Sequence, residues 1–284
     1  EPLKFNLSNN FIKNSDKKFF SKNKYVQKVF KSLQSISNSL DINFNTNTGI
    51  EIKYNKVEMK EDSYKIIINS QNIQIYSSDY GGIFYALVSI LQLADYYFGD
   101  LPIGEIEDRP RFKWRGMHLD CSRQFHSIDQ IKRLLIYMSI FKLNRFHWHL
   151  TDNEAWRLDL ESFPNLAKKS SFRGYKEIIP PLYGSGYNKS GGYYSKEDVR
   201  KLIIFAKELN IEIMPEIDLP AHSWALLKIM PDLYDHSSII ESEDIGNYKN
   251  NTINPALPST WKFLKKTIEE KSSLFPFDIV HVGL

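Results

Sequence analysis

One cysteine, Cys121, occurs in the 284-residue chain, so no disulfide can form within it. It lies among apolar strand residues without the His and Asn partners of a cysteine hydrolase, and reads as a packed thiol. No apolar run reaches the ~20 residues that span a bilayer. Nor is there a basic stripe: 37 Lys and Arg are interspersed with 34 Asp and Glu for a net charge of +3, which argues against nucleic acid as a partner. The chain begins at Glu1 and shows no apolar signal-peptide segment. What is there is globular in composition, with 42% hydrophobic, 25% charged and 14% aromatic residues, enough to bury a core.

The first hundred residues are rich in Lys, Asn and Ser. A helical stretch is expected near 17–40. Short β-branched runs at Gly49-Ile-Glu-Ile-Lys-Tyr, Tyr64-Lys-Ile-Ile-Ile-Asn and Ile73-Gln-Ile-Tyr read as neighbouring strands. Gly81-Gly82 opens a helix with Leu87, Ile90, Leu91 and Ala94 at helical spacing, so an amphipathic helix on that sheet is expected. This predicts a small α+β domain over 1–107, with the Gly-, Pro- and acid-containing segment 99–110 as its boundary.

From Phe112 onward strands and helices alternate. Strands are expected at 115–119, 145–150, 211–218 and 277–282. Ser127-Ile-Asp-Gln and Ser195-Lys-Glu-Asp read as helix caps, the first as a capping box. A third helix is expected near 259–271. Four β/α units are half of a closed (β/α)₈ barrel, so residues 108–284 are expected to form the N-terminal half of such a barrel, truncated in this chain. The fold class is therefore α/β, a small α+β domain followed by the first four units of a TIM barrel.

Barrel chemistry gathers at the C-terminal ends of the strands. Here each expected strand ends in ionisable residues: His118, Asp120 and Arg123; His147, His149 and Asp152; Glu216, Asp218 and His222; and His281. A purely structural barrel has no reason to bear the desolvation of so many polar groups. Arginine offers a fork of donors for neighbouring hydroxyls, carboxylates accept from them, and Trp rings such as Trp114, Trp148, Trp156 and Trp224 suit the apolar face of a pyranose.

The motifs Asp108-Arg-Pro-Arg-Phe-Lys-Trp-Arg-Gly-Met-His-Leu-Asp-Cys-Ser-Arg, Phe146-His-Trp-His-Leu-Thr-Asp, Trp156-Arg-Leu-Asp-Leu and Pro215-Glu-Ile-Asp-Leu-Pro-Ala-His resemble the β-N-acetylhexosaminidases of glycoside hydrolase family 20. The resemblance covers most of 108–283 and extends more weakly to Gly81-Gly-Ile-Phe-Tyr-Ala-Leu. It implies removal of terminal N-acetylhexosamines by substrate-assisted hydrolysis, in which the acetamido oxygen of the sugar attacks and a Glu protonates the leaving oxygen. It further implies that Arg115 grips sugar hydroxyls, that Asp152 and His222 pair behind the general acid, and that His149, Glu216 and Asp218 shape the pocket. No cofactor is implied. The implied partners are N-acetylhexosamine glycans or chitooligosaccharides, with a homodimer and an extracytoplasmic location as further expectations.

Three departures stand out. Asn153 follows Asp152 where the family has a second Asp, Ala221 precedes His222 where it has Gly, and the chain reads His281-Val-Gly-Leu where the family continues to its catalytic Asp-Glu pair. The segment alone is therefore expected to be inactive. Two alternatives stay open: an inactive sugar- or partner-binding remnant, and a metal-dependent hydrolase barrel using His147, His149, Asp152, His222 and His281, since imidazoles two apart on a strand share a face.

Overall fold

A computed structural model describes residues 2–45, 47–234 and 248–283. The chain divides into two compact units, 1–115 with 136–143 and 208–210, and 116–135 with 144–207 and 211–284.

The first unit carries β1 (Lys4–Ile12), β2 (Lys18–Phe20), α1 (Lys24–Ser32), α2 (Gln34–Ser39), β3 (Asn43–Asn45), β4 (Ile50–Lys56), β5 (Tyr64–Ile68), β6 (Asn72–Ser77), α3 (Tyr80–Tyr96) and β7 (Leu101–Asp108). The strands form one seven-stranded sheet in the order β1-β7-β5-β6-β4-β2-β3. The expected helical stretch 17–40 resolves into a strand and two helices, because Asn23 accepts from the amides of Tyr25 and Val26 and so starts α1 late. Within the segment expected to hold the boundary, 101–108 is strand β7, which pairs with both β1 and β5. Its Pro, Gly and acids disguise it, while Leu101 and Ile106 are buried.

Asp79 caps α3 by accepting from the Gly82 amide at 2.8 Å. The glycines there are required by contact: a Cβ on Gly82 would lie 2.3 Å from the Ser63 carbonyl oxygen, and one on Gly81 would lie 1.9 Å from Asp62 Oδ1. The helix is not one-sided as its spacing suggests. Every residue from Gly81 to Leu91 is buried, including Phe84, Tyr85 and Val88, so its first turns are covered all round.

The second unit holds β8 (Gly116–Asp120), β9 (Arg145–His149), the hairpin β10 (Thr151–Asp152) with β11 (Ala155–Trp156), a short helix Leu166–Ser170, and the pair β12 (Phe172–Arg173) with β13 (Ser190–Gly191). Then follow β14 (Glu212–Glu216), a short helix Trp224–Leu227 and a long helix Pro258–Leu274. Helix Ile128–Ile140 connects β8 to β9, and helix Lys196–Glu208 precedes β14. Both begin as expected, with Ser127 and Gln130 exchanging bonds at 2.7 and 3.3 Å, and Ser195 and Asp198 at 3.0 and 3.1 Å. β8, β9 and β14 form a parallel sheet with β9 in the centre.

The register decides which side chains meet. Asp120, His149 and Glu216 lie side by side at the C-terminal ends of the three strands. Because side chains alternate in direction, His118, His147 and Met214 share that face. The other face carries Phe146 and Trp148, both fully buried. The expected strand 277–282 is reduced to a bridge between His281 and Glu216, with Ile217 and Leu219 amides donating to the carbonyls of His281 and Val282. Among the described residues only His281 of this segment makes a ladder bridge, so no regular strand forms there.

Candidate active site

Asp152 is the centre of the polar cluster and is almost fully buried. Its Oδ2 faces Arg123 Nη2 at 2.7 Å and His149 Nε2 at 2.9 Å. Its Oδ1 accepts from the Asn153 amide at 2.6 Å and meets His222 Nδ1 at 2.9 Å. Burial acts to raise the Asp152 pKa, but the hydrogen bonds from His149 and the Asn153 amide and the charges of Arg123 and His222 prevail and hold it below the usual range.

His149 bridges outward from there. Its Nδ1 lies 2.6 Å from Glu216 Oε2, so both ring nitrogens are occupied by carboxylates. Burial pulls this imidazole down, yet hydrogen bonds to Asp152 and Glu216 and the Glu216 charge outweigh it and raise the pKa to about 10. Glu216 resists burial in the same way: His147 at 2.7 Å and His149 hold it well below the ordinary glutamate value. His281 Nδ1 adds a contact at 3.1 Å from the other Glu216 oxygen. His149 and Glu216 are thus buried connectors whose polar atoms are spent on neighbours.

His222 differs. It stands at φ +53, a left-handed conformation that costs a non-glycine residue of the order of 1 kcal/mol, and its bond to Asp152 offsets that strain. The side chain is 42% exposed. With Nδ1 directed at the carboxylate, Nε2 makes no hydrogen bond among the described residues and is available to a group in the mouth. Asn153, the first departure, accepts from the Trp224 amide at 3.1 Å and so anchors the chain just after His222.

Arg115 requires correction. It precedes β8, at the end of the strand opposite the carboxylates. Its guanidinium donates to the carbonyls of Lys142 and Phe112, to Asp62 at 3.1 Å and to the Tyr85 hydroxyl at 2.9 Å, all within the first unit. Four residue steps separate Gly116 from Asp120, roughly 13 Å of rise at about 3.3 Å per residue. The arginine at the mouth is Arg123. Asp120 Oδ1 accepts from the amides of Ser122 and Arg123, a tight return that brings the guanidinium back over the strand ends. It then faces Asp120 at 2.9 Å, Asp152 at 2.7 Å and Glu154 at 3.0 Å. The turn itself is clamped from below: Arg157 donates to the carbonyls of Cys121 and Ser122, and Arg173 donates to that of Ser122.

Glu154, missed in the sequence, is buried, and accepts hydroxyl bonds from Tyr183 at 2.8 Å and Tyr248 at 3.0 Å. Its spacing, two residues past Asp152 in a hairpin, carried the only sequence signal.

Asp218 lies against Gly283, where a Cβ would come within 1.7 Å of its Oδ1 and where φ is +86, so that position requires glycine. Burial pushes the Asp218 carboxyl up to about 6. For an acid raised above its unfolded value the folded state favours the proton, so stability falls as pH rises from about 4 through 6. Asp218→Asn in the full-length protein is therefore expected to gain Tm over wild type as pH increases from 4 to 7, an effect of about 1–3 kcal/mol from a shift of some two units. A Tm difference that stays flat across that range contradicts it.

Three overlapping sets, His118–His149–Glu216, His147–Glu216–His281 and His149–Asp152–Asp218, bring potential metal-ligand atoms within 4.8 Å of one another. In them His147, His149 and His281 already face carboxylate oxygens at 2.6–3.1 Å, which gives the cluster an internal account as a hydrogen-bonded net.

Comparison with known proteins shows the family of the chain. Residues 112–284 match the model for the catalytic domain of glycosyl hydrolase family 20, and residues 6–109 match that for domain 2 of the same family. A beta-hexosaminidase from Vibrio furnissii is 38% identical over 79% of this chain and 37% of its own length. An N,N'-diacetylchitobiase from Vibrio harveyi is 35% identical over 76% of this chain and 27% of its own. The crystal structure of a GH20 exo β-N-acetylglucosaminidase from Vibrio harveyi in complex with N-acetylglucosamine superposes with a TM-score of 0.91 at 34% identity, covering all of this chain and 46% of that one. The chain thus spans less than half the length of each of these relatives, and with both of its parts matched in order it belongs to glycosyl hydrolase family 20.

Proposed function

We propose that this chain supplies the second domain and part of the catalytic barrel of an enzyme that removes terminal non-reducing N-acetylhexosamine residues, with retention, by substrate-assisted hydrolysis. The observation that carries the reading is the arrangement around Asp152. One buried carboxylate holds an arginine fork on one oxygen and a half-exposed imidazole on the other. Arg123 is positioned to receive ring hydroxyls. The imidazole of His222, kept in one tautomer by Asp152, is positioned to hold a neighbouring acid in its working state. In this reading the acetamido oxygen of the substrate acts as nucleophile, and the proton donor and the Asp that orients the acetamido group follow Gly283. His149 and Glu216 lock the support in place rather than touching sugar.

The test is hydrolysis of 4-nitrophenyl N-acetyl-β-D-glucosaminide by the full-length protein and by residues 1–284. The full-length protein is expected to turn over and the segment is not, since positioned general acid catalysis contributes roughly 10²–10⁴-fold. Comparable rates from both would place the acid within this chain and overturn the assignment. The same assay separates the metal-dependent reading. Dialysis of the full-length protein against a chelator is expected to leave kcat unchanged, and a loss restored by Zn²⁺ would favour the histidine sets as ligands.

A further inference from the structure

The long helix Pro258–Leu274 buries Phe263, Thr267, Lys271 and Leu274, one stripe at helical spacing. The lysine is the odd member of that stripe. It is only 1% exposed, and its Nζ makes one hydrogen bond among the described residues, donating to the His281 carbonyl at 3.2 Å. Its surroundings are apolar: Leu264, Ile268, Val280 and Val282 line a cavity of about 300 Å³ with it. Burying an ammonium is costly, and a single neutral acceptor returns little of that cost. Burial pushes the Lys271 ammonium down to about 8, with the Glu216 charge acting against the shift. Leucine or methionine would fill the same place in the stripe at lower cost, so packing does not account for a lysine here.

What the lysine holds is a stretch of chain with few other bonds. Segment 277–283 makes a single ladder bridge, from His281 to Glu216. The Ile217 amide donates to the His281 carbonyl at 3.2 Å, and the Leu219 amide to that of Val282 at 2.9 Å. Both amides belong to the chain that continues β14. Lys271 reaches the same His281 oxygen from the helix and takes its second lone pair. One donor lets a carbonyl pivot about its bond; two donors from different elements fix it. The His281 ring is in turn tied to Glu216 at 3.1 Å, and two residues on, Gly283 packs against Asp218.

We propose that Lys271 is a positioning residue for the proton donor: by fixing the His281 carbonyl it sets the path on which the chain runs through Gly283 to the acid. This rests on the hydrolase reading above. Lys271 touches neither substrate nor acid and acts through the backbone alone. Two residues separate the held carbonyl from Gly283, so a shift at His281 passes almost undiminished to the chain beyond. A displacement of about 1 Å made away from the chemistry can cost on the order of 10²-fold in rate. Lost aim of the acid weighs most on a leaving group that cannot depart without a proton.

The experiment compares full-length wild type with Lys271→Met on two probes that differ only in the leaving group, phenyl and 2,4-dinitrophenyl N-acetyl-β-D-glucosaminide. Phenolate leaves poorly and needs the proton, whereas dinitrophenolate departs without it. On the phenyl probe kcat/KM is expected to fall about ten- to a hundredfold. On the dinitrophenyl probe it is expected to stay within about twofold of wild type. Tm is expected to hold or rise, because methionine keeps an apolar stem and removes a buried charge. Lys271→Arg, which keeps a donor at that depth, is expected to recover the phenyl rate. If the methionine variant does not fold, Lys271→Gln, whose amide is too short to reach the carbonyl, is read by the same ratio. Equal losses on both probes, or no loss on either, overturn the positioning role and leave the hydrolase reading standing. Wild type that cleaves neither probe overturns both.

Discussion

In the full-length protein, Arg123→Lys is expected to lower kcat/KM on an aryl N-acetyl-β-glucosaminide by roughly 10²–10³-fold, while Arg115→Lys leaves it within a few-fold of wild type. The two arginines lie at opposite ends of one strand and do different work. Arg123 meets three carboxylates with its fork, and Asp152 and Glu154 among these are buried. A lysine ammonium can satisfy one of them at a time and has no planar pair of donors left for adjacent hydroxyls. Arg115 ties together Asp62, Tyr85 and two carbonyls, so its replacement costs stability, about 1–3 kcal/mol for hydrogen-bonded groups left without their donor. A fall in Tm with normal kinetics for Arg115→Lys, and the reverse for Arg123→Lys, is the expected pattern. Equal kinetic losses at both positions would return Arg115 to the substrate site.

Asp152→Ala is expected to be the most damaging single change, removing about 3–5 kcal/mol of stability as well as most of kcat. The carboxylate is shared by Arg123, His149 and His222, and its loss leaves charge buried without a counterpart. The pH dependence gives a signature that simple destabilisation lacks. Asp152 is held below its ordinary pKa, so its contribution is present above about 4 and is lost as pH falls. His149 is held above its own, at about 10, so its contribution is complete below about 6.5 and lost as pH rises through 10. Wild type should therefore lose Tm on both flanks. In the variant the acid-side loss should shrink, and the alkaline loss should begin at lower pH because His149 keeps Glu216 alone. Flanks identical in both proteins would show that Asp152 is not the centre of the net.

Much of this arrangement is legible in the sequence because it follows from period and position. Alternation along Arg145-Phe-His-Trp-His places the two histidines on one face and Trp148 on the other, and the capped helices after Ser127 and Ser195 fix where strands can resume. The parallel register then needs no further information to align Asp120, His149 and Glu216. What the pattern hides is set by contacts distant in the chain. β7 carries Pro102, Gly104 and three acids and reads as a linker, yet the strands on both sides of it impose extended structure. The choice between Arg115 and Arg123 turns on which end of β8 each occupies, and one motif carries both arginines without showing which end faces the carboxylates. Glu154 becomes important only once Tyr183 and Tyr248, 29 and 94 residues away, converge on it.

Cys121 lies between Asp120 and the Ser122–Arg123 turn, fully buried, with its amide donating to the His149 carbonyl and its own carbonyl taken by Arg157. Burial pushes its thiol up to about 11, so at neutral pH it is protonated and shielded. That placement makes the sulfur a clock for breathing of the arginine turn. An alkylating reagent can reach it only when the carbonyl clamp lets go, and mass spectrometry of the peptide containing Cys121 then times how often the turn opens, independently of any catalytic assay.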